Sequence, residues 1–144
     1  MEILKLAPGD EALARATFAM MAEVFENEGE PISLGYARRL LARNDFWALA
    51  AVDDGEVIGG LTAHALPMTR NETTELFIYD IAVRTDRQRR GVGRALMNEL
   101  FTLGTAAGVQ VFFVPAENED VHALDFYRSV GGTPAPVTFF TFER

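Results

Sequence analysis

The sequence predicts a mixed α/β (α+β) domain, with antiparallel N-terminal strands, a later β-α-β crossover in one central sheet, and flanking helices. Three observations predict it. Two apolar runs around Asp53-Asp54-Gly55-Glu56 read as a hairpin, with a glycine where the turn needs positive φ. Between Glu75 and Ala116 an apolar run, an amphipathic helical pattern and a second apolar run read as a crossover. Two helical patterns precede the hairpin, and no repeat, low-complexity tract or long linker divides the chain, so residues 1–144 are read as one domain.

Each element has a local reason. Ile3 to Leu6 suits a short strand, broken by Pro8-Gly9-Asp10, which opens a helix. Leu13, Met20, Met21, Val24 and Phe25 recur at helical spacing within Glu11 to Glu28, and Gly29-Glu30-Pro31 interrupts them. Ser33 is the predicted cap of a second helix carrying Leu34, Ala37, Leu40 and Leu41. Phe46 to Leu66 is the hairpin, and Glu75 to Val83 is an apolar strand with Asp80 set inside it. A helix follows from Gly91 to Gly108, with Val92, Leu96, Leu100, Leu103 and Ala107 along one face. Val109 to Ala116 is the next strand, and the run from Asp120 reads as a helix stopped by Gly131-Gly132. The apolar stretch Val137 to Glu143 is the predicted last strand.

Composition excludes several classes of chemistry. A chain of 144 residues, 49% apolar and 24% charged, supports one core without disulfides or a structural metal. Cysteine is absent, which removes thiolate nucleophiles and cysteine-ligated zinc. No leader pattern opens the chain and no apolar run is long enough to span a membrane, so a soluble cytoplasmic protein is expected. Charge is unevenly placed. Arg84 to Arg94 holds five arginines against Asp86, net +4, while the remaining 8 basic and 20 acidic residues give −12, making up the overall −8. Such a division suits a chain that binds an anion at one place and attracts cations elsewhere; solvated acidic surface is the plainer reading of the −12.

The basic stretch coincides with a helix start that lacks Ser, Thr, Asp or Asn as a cap. Water satisfies the free N–H groups at an exposed end, whereas a phosphate also gains from the helix dipole and the arginines. Gly91 and Gly93 lack Cβ atoms, so a pyrophosphate has room to approach the backbone. A Walker loop is excluded because Arg94 and Ala95 follow Gly93, and a dinucleotide fingerprint because Leu96 occupies its third glycine position.

Gln88-Arg89-Arg90-Gly91-Val92-Gly93 resembles the Q/R-x-x-G-x-G/A signature of the GCN5-related N-acetyltransferase (GNAT) superfamily. Ala123, Phe126, Tyr127 and Gly131 resemble its second signature, with Gly132 in place of the usual Phe. The ALAA hairpin, the Tyr79-Asp80 strand and an acidic loop after the crossover look most like type I aminoglycoside 3-N-acetyltransferases, although Val121 and Glu117 depart from their aspartates. The resemblance implies the GNAT fold and acetyl-coenzyme A as cosubstrate, with no metal. Its pyrophosphate is expected against Gln88, Arg89, Arg90, Gly91, Val92, Gly93 and Arg94, and its pantetheine arm beside Ile81, Ala82 and Val83.

Amine acetylation needs a base, an oxyanion donor and an acid for the departing thiolate. Asp80 is the expected base, with a purely structural hydrogen-bond acceptor at a strand bulge as the competing role. Glu75 is weaker because strand parity puts it on the opposite face. The resemblance makes Tyr127 the acid, and the oxyanion donor is expected near Ala82 or Val83. His64 and His122 are read as structural. For the acceptor, Glu23, Glu26, Glu28 and Glu30 after the first helix, and Glu117, Glu119 and Asp120 after the crossover, are expected to border one cleft with Tyr79 and Asp80. The expected function is acetylation of a polycationic small molecule, foremost the 3-amino group of deoxystreptamine in gentamicin-like antibiotics. A polyamine or a peptide N-terminus is the alternative acceptor. A nucleic-acid-binding module is the remote alternative, set against a chain with one lysine and no extended basic surface. The expected partners are therefore a cationic substrate and coenzyme A, with no nucleic acid or membrane; a homodimer is left open.

Overall fold

The computed structural model describes residues 1–144. Its elements are β1 (Glu2–Lys5), α1 (Glu11–Val24), α2 (Leu34–Leu41), β2 (Phe46–Asp53), β3 (Glu56–Pro67), β4 (Thr74–Val83), α3 (Val92–Ala106), β5 (Val111–Phe113) and α4 (Val121–Ser129), with a 3-10 turn at Thr85–Arg87. One sheet has the order β1-β2-β3-β4-β5. Its first three pairings are antiparallel, and β5 lies parallel to β4 across the α3 crossover. No helix is long and apolar enough to cross a membrane.

Each face of the sheet has its own core. On one face Leu49, Ile58, Leu61, Leu76 and Ile78 pack with Val92, Leu96 and Leu100 of α3. On the other, Ala48 and Ala50 of β2 meet Ala14 of α1 and Leu41 of α2. The helix α1 reaches the sheet because Gly60 presents no side chain. A Cβ there would lie 2.6 Å from Thr17 Cγ2 and 2.7 Å from Met21 Sδ, so the close approach requires glycine. Ser33 caps α2 as expected, its hydroxyl accepting from Tyr36 N at 3.0 Å.

Three expectations are corrected. The first helix stops at Val24 rather than Glu28, because Glu26 turns left-handed at φ 56°. Asn27 N then donates to Ala22 O and Glu26 N to Glu23 O, which closes the helix with the paired bonds of a Schellman motif. The strand expected over Val109 to Ala116 narrows to Val111–Phe113, because only Glu75, Leu76 and Phe77 of β4 pair with it. The final strand does not form. Gly131 N donates to Arg128 O and Gly132 N to Tyr127 O, ending α4, and residues 133–144 leave exposed with no backbone hydrogen bond. Apolar alternation supplies a strand's side chains, but its backbone groups need a partner, and the tail meets none.

Because Gly60 faces Thr17 and Met21 directly, Gly60→Ala is expected to lower unfolding free energy by about 1–3 kcal/mol. Urea denaturation followed by circular dichroism measures it; unchanged stability would mean that α1 yields at no cost.

Candidate active site

A β-bulge sets the centre of the site. Opposite β3, Thr62 pairs with Asp80 but the next residue, Ala63, pairs with Ile78, which leaves Tyr79 as an extra residue in β4. The extra residue reverses the alternation. Ile78 enters the α3-side core, while Asp80 turns to the α1 side with Thr62. Glu75, paired with Leu66, consequently shares the face of Asp80, contrary to the parity expectation. It lies four β3 positions away, about 13 Å along the strand, too far to act on the same atom.

Asp80 is half-buried and accepts no hydrogen bond from any protein group, so the competing role as a structural acceptor has no donor to support it. Burial pushes its carboxyl above the ordinary carboxylate range. Tyr127 of α4 is half-buried too. Its phenol is pushed up by burial, then by the charges of Asp120 and Asp80, which places the tyrosine within electrostatic reach of both carboxylates and keeps it protonated.

Beyond Phe77 and Phe113 the β4–β5 ladder ends, and the rest of β4 is paired only with β3. Arg84 N donates to Ile58 O at 2.8 Å, whereas the Val83 carbonyl turns the other way and accepts from Gln88 Nε2 at 3.0 Å. The alternation of an antiparallel ladder therefore puts the backbone groups of Ile81 and Val83 on the opened edge and those of Ala82 towards β3. This edge leads to the start of α3. There Gly91 is left-handed at φ 82°, preceded by left-handed Arg89 at φ 62°, and the N–H groups of residues 88–94 have no protein acceptor. Val92 is different in kind from its neighbours, since its side chain belongs to the core.

The two glycines have separate tasks. Gly91 supplies the positive φ, and nothing lies within 4 Å of where its Cβ would be. Gly93 instead makes room for a protein side chain, because its Cβ would sit 3.1 Å from the Phe126 ring of α4. Packing between α3 and α4 is therefore a reason for Gly93 beside the space for a pyrophosphate expected from the sequence. Phe126 had no assigned role, and only the three-dimensional contact reveals it. Gly132 is similarly constrained, since a Cβ would lie 2.9 Å from Tyr127 O.

The arginine cluster is also divided. Arg84 bonds Asp86 and Glu56, and Arg87 bonds Asp53 at 2.7 Å, which holds the Asp53 carboxyl below its usual range. Arg94 donates to the Ser129 carbonyl and hydroxyl at the end of α4. Arg89 and Arg90 remain exposed without a protein partner.

Glu23 lines an open cleft of about 420 Å³ with Met20, Val24, Arg84, Thr85 and Asp86. Glu26, Glu28 and Glu30 are exposed beyond it, as are Glu117, Glu119 and Asp120. Asp120 has a structural task as the cap of α4, accepting from Ala123 N at 3.1 Å. Beside Asp80 the site wall is aromatic instead: Phe46, His64, Tyr79, Phe77 and Phe113 form a row with successive ring centroids 5.0–5.8 Å apart. His64 is thereby part of a packed wall. Phe77 and Tyr79 share a face by strand parity, but His64, Phe46 and Phe113 join them only through pairing with other strands. His122 is exposed, and no three His, Asp or Glu side chains gather as metal ligands.

Residues 12–131 match the model of the acetyltransferase (GNAT) family. The chain belongs to that family. It is thus an acetyltransferase, and its architecture is the GNAT fold. Among solved structures it is similar to the aminoglycoside acetyltransferase meta-AAC0020 from an uncultured soil metagenomic sample, in complex with sisomicin, at 30% identity and TM-score 0.95, covering 99% of this chain and 95% of that one. It is 35% identical to the aminoglycoside acetyltransferase HMB0005, also from an uncultured soil metagenomic sample, with TM-score 0.92 and coverage of 99% and 98%. The aminoglycoside N-acetyltransferase AAC(6')-Iy in complex with CoA shares the fold at 16% identity and TM-score 0.84, covering 99% and 94%. No curated protein sequence matches the chain significantly.

Among the acidic residues expected at the acceptor cleft, Glu26 is the one with a left-handed backbone. A left-handed non-glycine costs about 1–2 kcal/mol, so Glu26→Gly is expected to raise stability by about 1 kcal/mol. Chemical denaturation measures it, and a loss of stability would show that the Glu26 side chain offsets its own strain.

Proposed function

We propose that this GNAT enzyme transfers acetyl from acetyl-coenzyme A to the 3-amino group of the deoxystreptamine ring in gentamicin-like aminoglycosides, and so confers resistance. The observation that carries the reading is Asp80, a half-buried carboxylate without a hydrogen-bond partner, turned by the Tyr79 bulge to the mouth of the opened β4 edge and sensed by Tyr127. The aminoglycoside acetyltransferases at 30% and 35% identity, similar over nearly the whole chain, support the substrate class. The Tyr79-Asp80 pair and the ALAA hairpin, Ala48 to Ala51, support the 3-amino position.

The residues present fit the cosubstrate. The unpartnered N–H groups of residues 88–94, with Arg89 and Arg90 beside them, suit its phosphates, and the open backbone of Ile81 and Val83 suits the amides of its arm. When bound, it supplies an activated thioester. Asp80 holds the acceptor ammonium and takes one proton from it, which frees the nitrogen lone pair for the acyl carbon. The Val83 N–H, at the open edge, donates to the carbonyl oxygen as negative charge develops there. Tyr127 gives its hydroxyl proton to the sulfur as the carbon–sulfur bond breaks and recovers a proton from the acylated nitrogen, which becomes the neutral amide, while solvent takes the proton held by Asp80. Glu26, Glu28, Glu117, Glu119 and Asp120 contribute negative potential that draws in the other ammonium groups, and Tyr79 offers the face of its ring beside Asp80.

Thiol release against a panel of aminoglycosides, polyamines and peptides, with the acetylated nitrogen mapped by NMR, tests the substrate. Turnover of gentamicin at the 3-amino group is expected; efficient polyamine turnover without aminoglycoside turnover overturns it. Asp80→Asn is expected to lower kcat/KM by about 10²–10⁴-fold while coenzyme binding is retained. The burial that raises the Asp80 carboxyl also sets two pH signs. Activity falls as pH drops through the raised value, because the base becomes protonated. Stability has the opposite sense: the folded state holds the Asp80 proton more tightly than the unfolded chain, so it loses stability as pH rises through that window. Asp80→Asn is therefore expected to raise Tm at neutral pH, with the difference disappearing in acid below the unfolded carboxylate range. A lower Tm at neutral pH would show that the carboxylate is structural.

A further inference from the structure

We infer that the acceptor site has a second end: Glu75 anchors a distal ammonium of the acceptor, and the aromatic row between Glu75 and Asp80 is the floor under its rings. The inference rests on the acceptor being a polycation, as in the proposed function, and adds the residue that selects for its length. The extra residue at Tyr79 puts Glu75 and Asp80 on one face of the sheet, about 13 Å apart along the strand. A single ammonium cannot touch both carboxylates at that separation. Two ammonium groups on one molecule can each take one.

Between the two carboxylates the sheet face is made of rings. Phe77 and Tyr79 stand on β4, His64 beside them on β3, and Phe113 on β5 opposite Phe77. Leu66 and Val111 flank Glu75 from the neighbouring strands. Tyr79 is 61%, Phe113 39%, Leu66 42% and Val111 49% exposed, because α1 and α2 cover only the β2–β3 half of this face. The strands β3, β4 and β5 contain no lysine or arginine, so no cation along the strip neutralises either carboxylate. Glu75 also lines a hollow of about 220 Å³ with Leu66, Pro67, Met68, Thr69 and Arg70, and no ion pair joins it to that arginine. Exposed rings closed at either end by a free carboxylate have the composition of a small-molecule site, in which rings supply contact area and a few charges fix orientation.

The occupant is the distal part of the acceptor. Asp80 takes the reacting amine, the row begins at the adjacent Tyr79, and successive rings run on to Phe113, so the face continues the acceptor site without a break. An amino sugar suits both parts of it. The C–H groups on one side of its six-membered ring pack on aromatic surface, and its ammonium gains from the ring faces and ends on a carboxylate. A molecule of one ring reaches one end only.

Glu75→Gln removes the charge and keeps the shape. KM for gentamicin, which has three rings, is expected to rise about tenfold, with kcat, KM for acetyl-coenzyme A and KM for the single ring of deoxystreptamine unchanged. Glu75→Asp, which keeps the charge, is expected to recover most of the loss. Phe113→Leu, apolar but without a ring, is expected to raise the gentamicin KM about 2- to 5-fold. An unchanged gentamicin KM in Glu75→Gln overturns the anchor and leaves the face to another occupant, such as a second copy of the chain. An equal rise for deoxystreptamine overturns it too, since the charge then acts on any cation. An unchanged KM in Phe113→Leu overturns the floor. Failure of the proposed aminoglycoside activity reads differently: the unmodified enzyme then turns over no aminoglycoside, and the same contrast between long spermine and short putrescine decides Glu75. Turnover of monocationic amines alone overturns the distal anchor together with the polycation.

Discussion

The extra residue in β4 is the constraint on which the site depends. Strict alternation would set Asp80 on the same face as Ile78, against α3, where an unpaired carboxylate costs several kcal/mol and ends in neutralisation. The bulge at Tyr79 sends Ile78 inward and Asp80 to the other face within three residues. A bulge also bends the strand that carries it. The β4–β5 ladder ends at Phe77 and Phe113, directly before the bulge, and the backbone of Ile81 and Val83 is left open from there on. One local irregularity thus turns Asp80 to the α1 side and coincides with the start of the open edge.

Electrostatics and backbone geometry divide the work at the start of α3. Arg84 and Arg87 are held by Glu56, Asp86 and Asp53, so they fasten the β4–α3 connection to the β2–β3 hairpin. Exposed pairs of this kind contribute only about 0–1 kcal/mol each, and their value here is in fixing the loop. Arg94 binds the C-terminal end of α4, where the helix dipole favours a cation. Anion-binding capacity therefore rests chiefly on free N–H groups shaped by left-handed Arg89 and Gly91, with Arg89 and Arg90 adding charge. The same arrangement brings α4 against α3, through Phe126 over Gly93, and so positions Tyr127 relative to Asp80.

Much of this was legible in the chain. The hairpin turn, the Ser33 cap, the α3 stripe and the crossover are local patterns, each decided by residues within a few positions of one another, and each is present. The glycine-arginine stretch and the aspartate inside an apolar strand were legible as chemistry for the same reason: an uncapped helix start and a lone carboxylate conflict with local rules. The relation of Glu75 to Asp80 was misread because parity assumes an unbroken strand, and nothing local in Phe77-Ile78-Tyr79 announces the extra residue. The packing role of Gly93 was not legible because its neighbour, Phe126, lies 33 positions away.

The sequence by itself determined the kind and order of the elements up to α4, the charge division and the side chains proposed to react, since periodicity, caps and composition act over short stretches. Only the tertiary structure decided which face Asp80 takes, which arginines stay free, and that Val137 to Phe142 finds no partner within its own chain. Those outcomes depend on contacts between segments far apart in sequence, where a backbone hydrogen bond or a packed ring requires the partner to be in place.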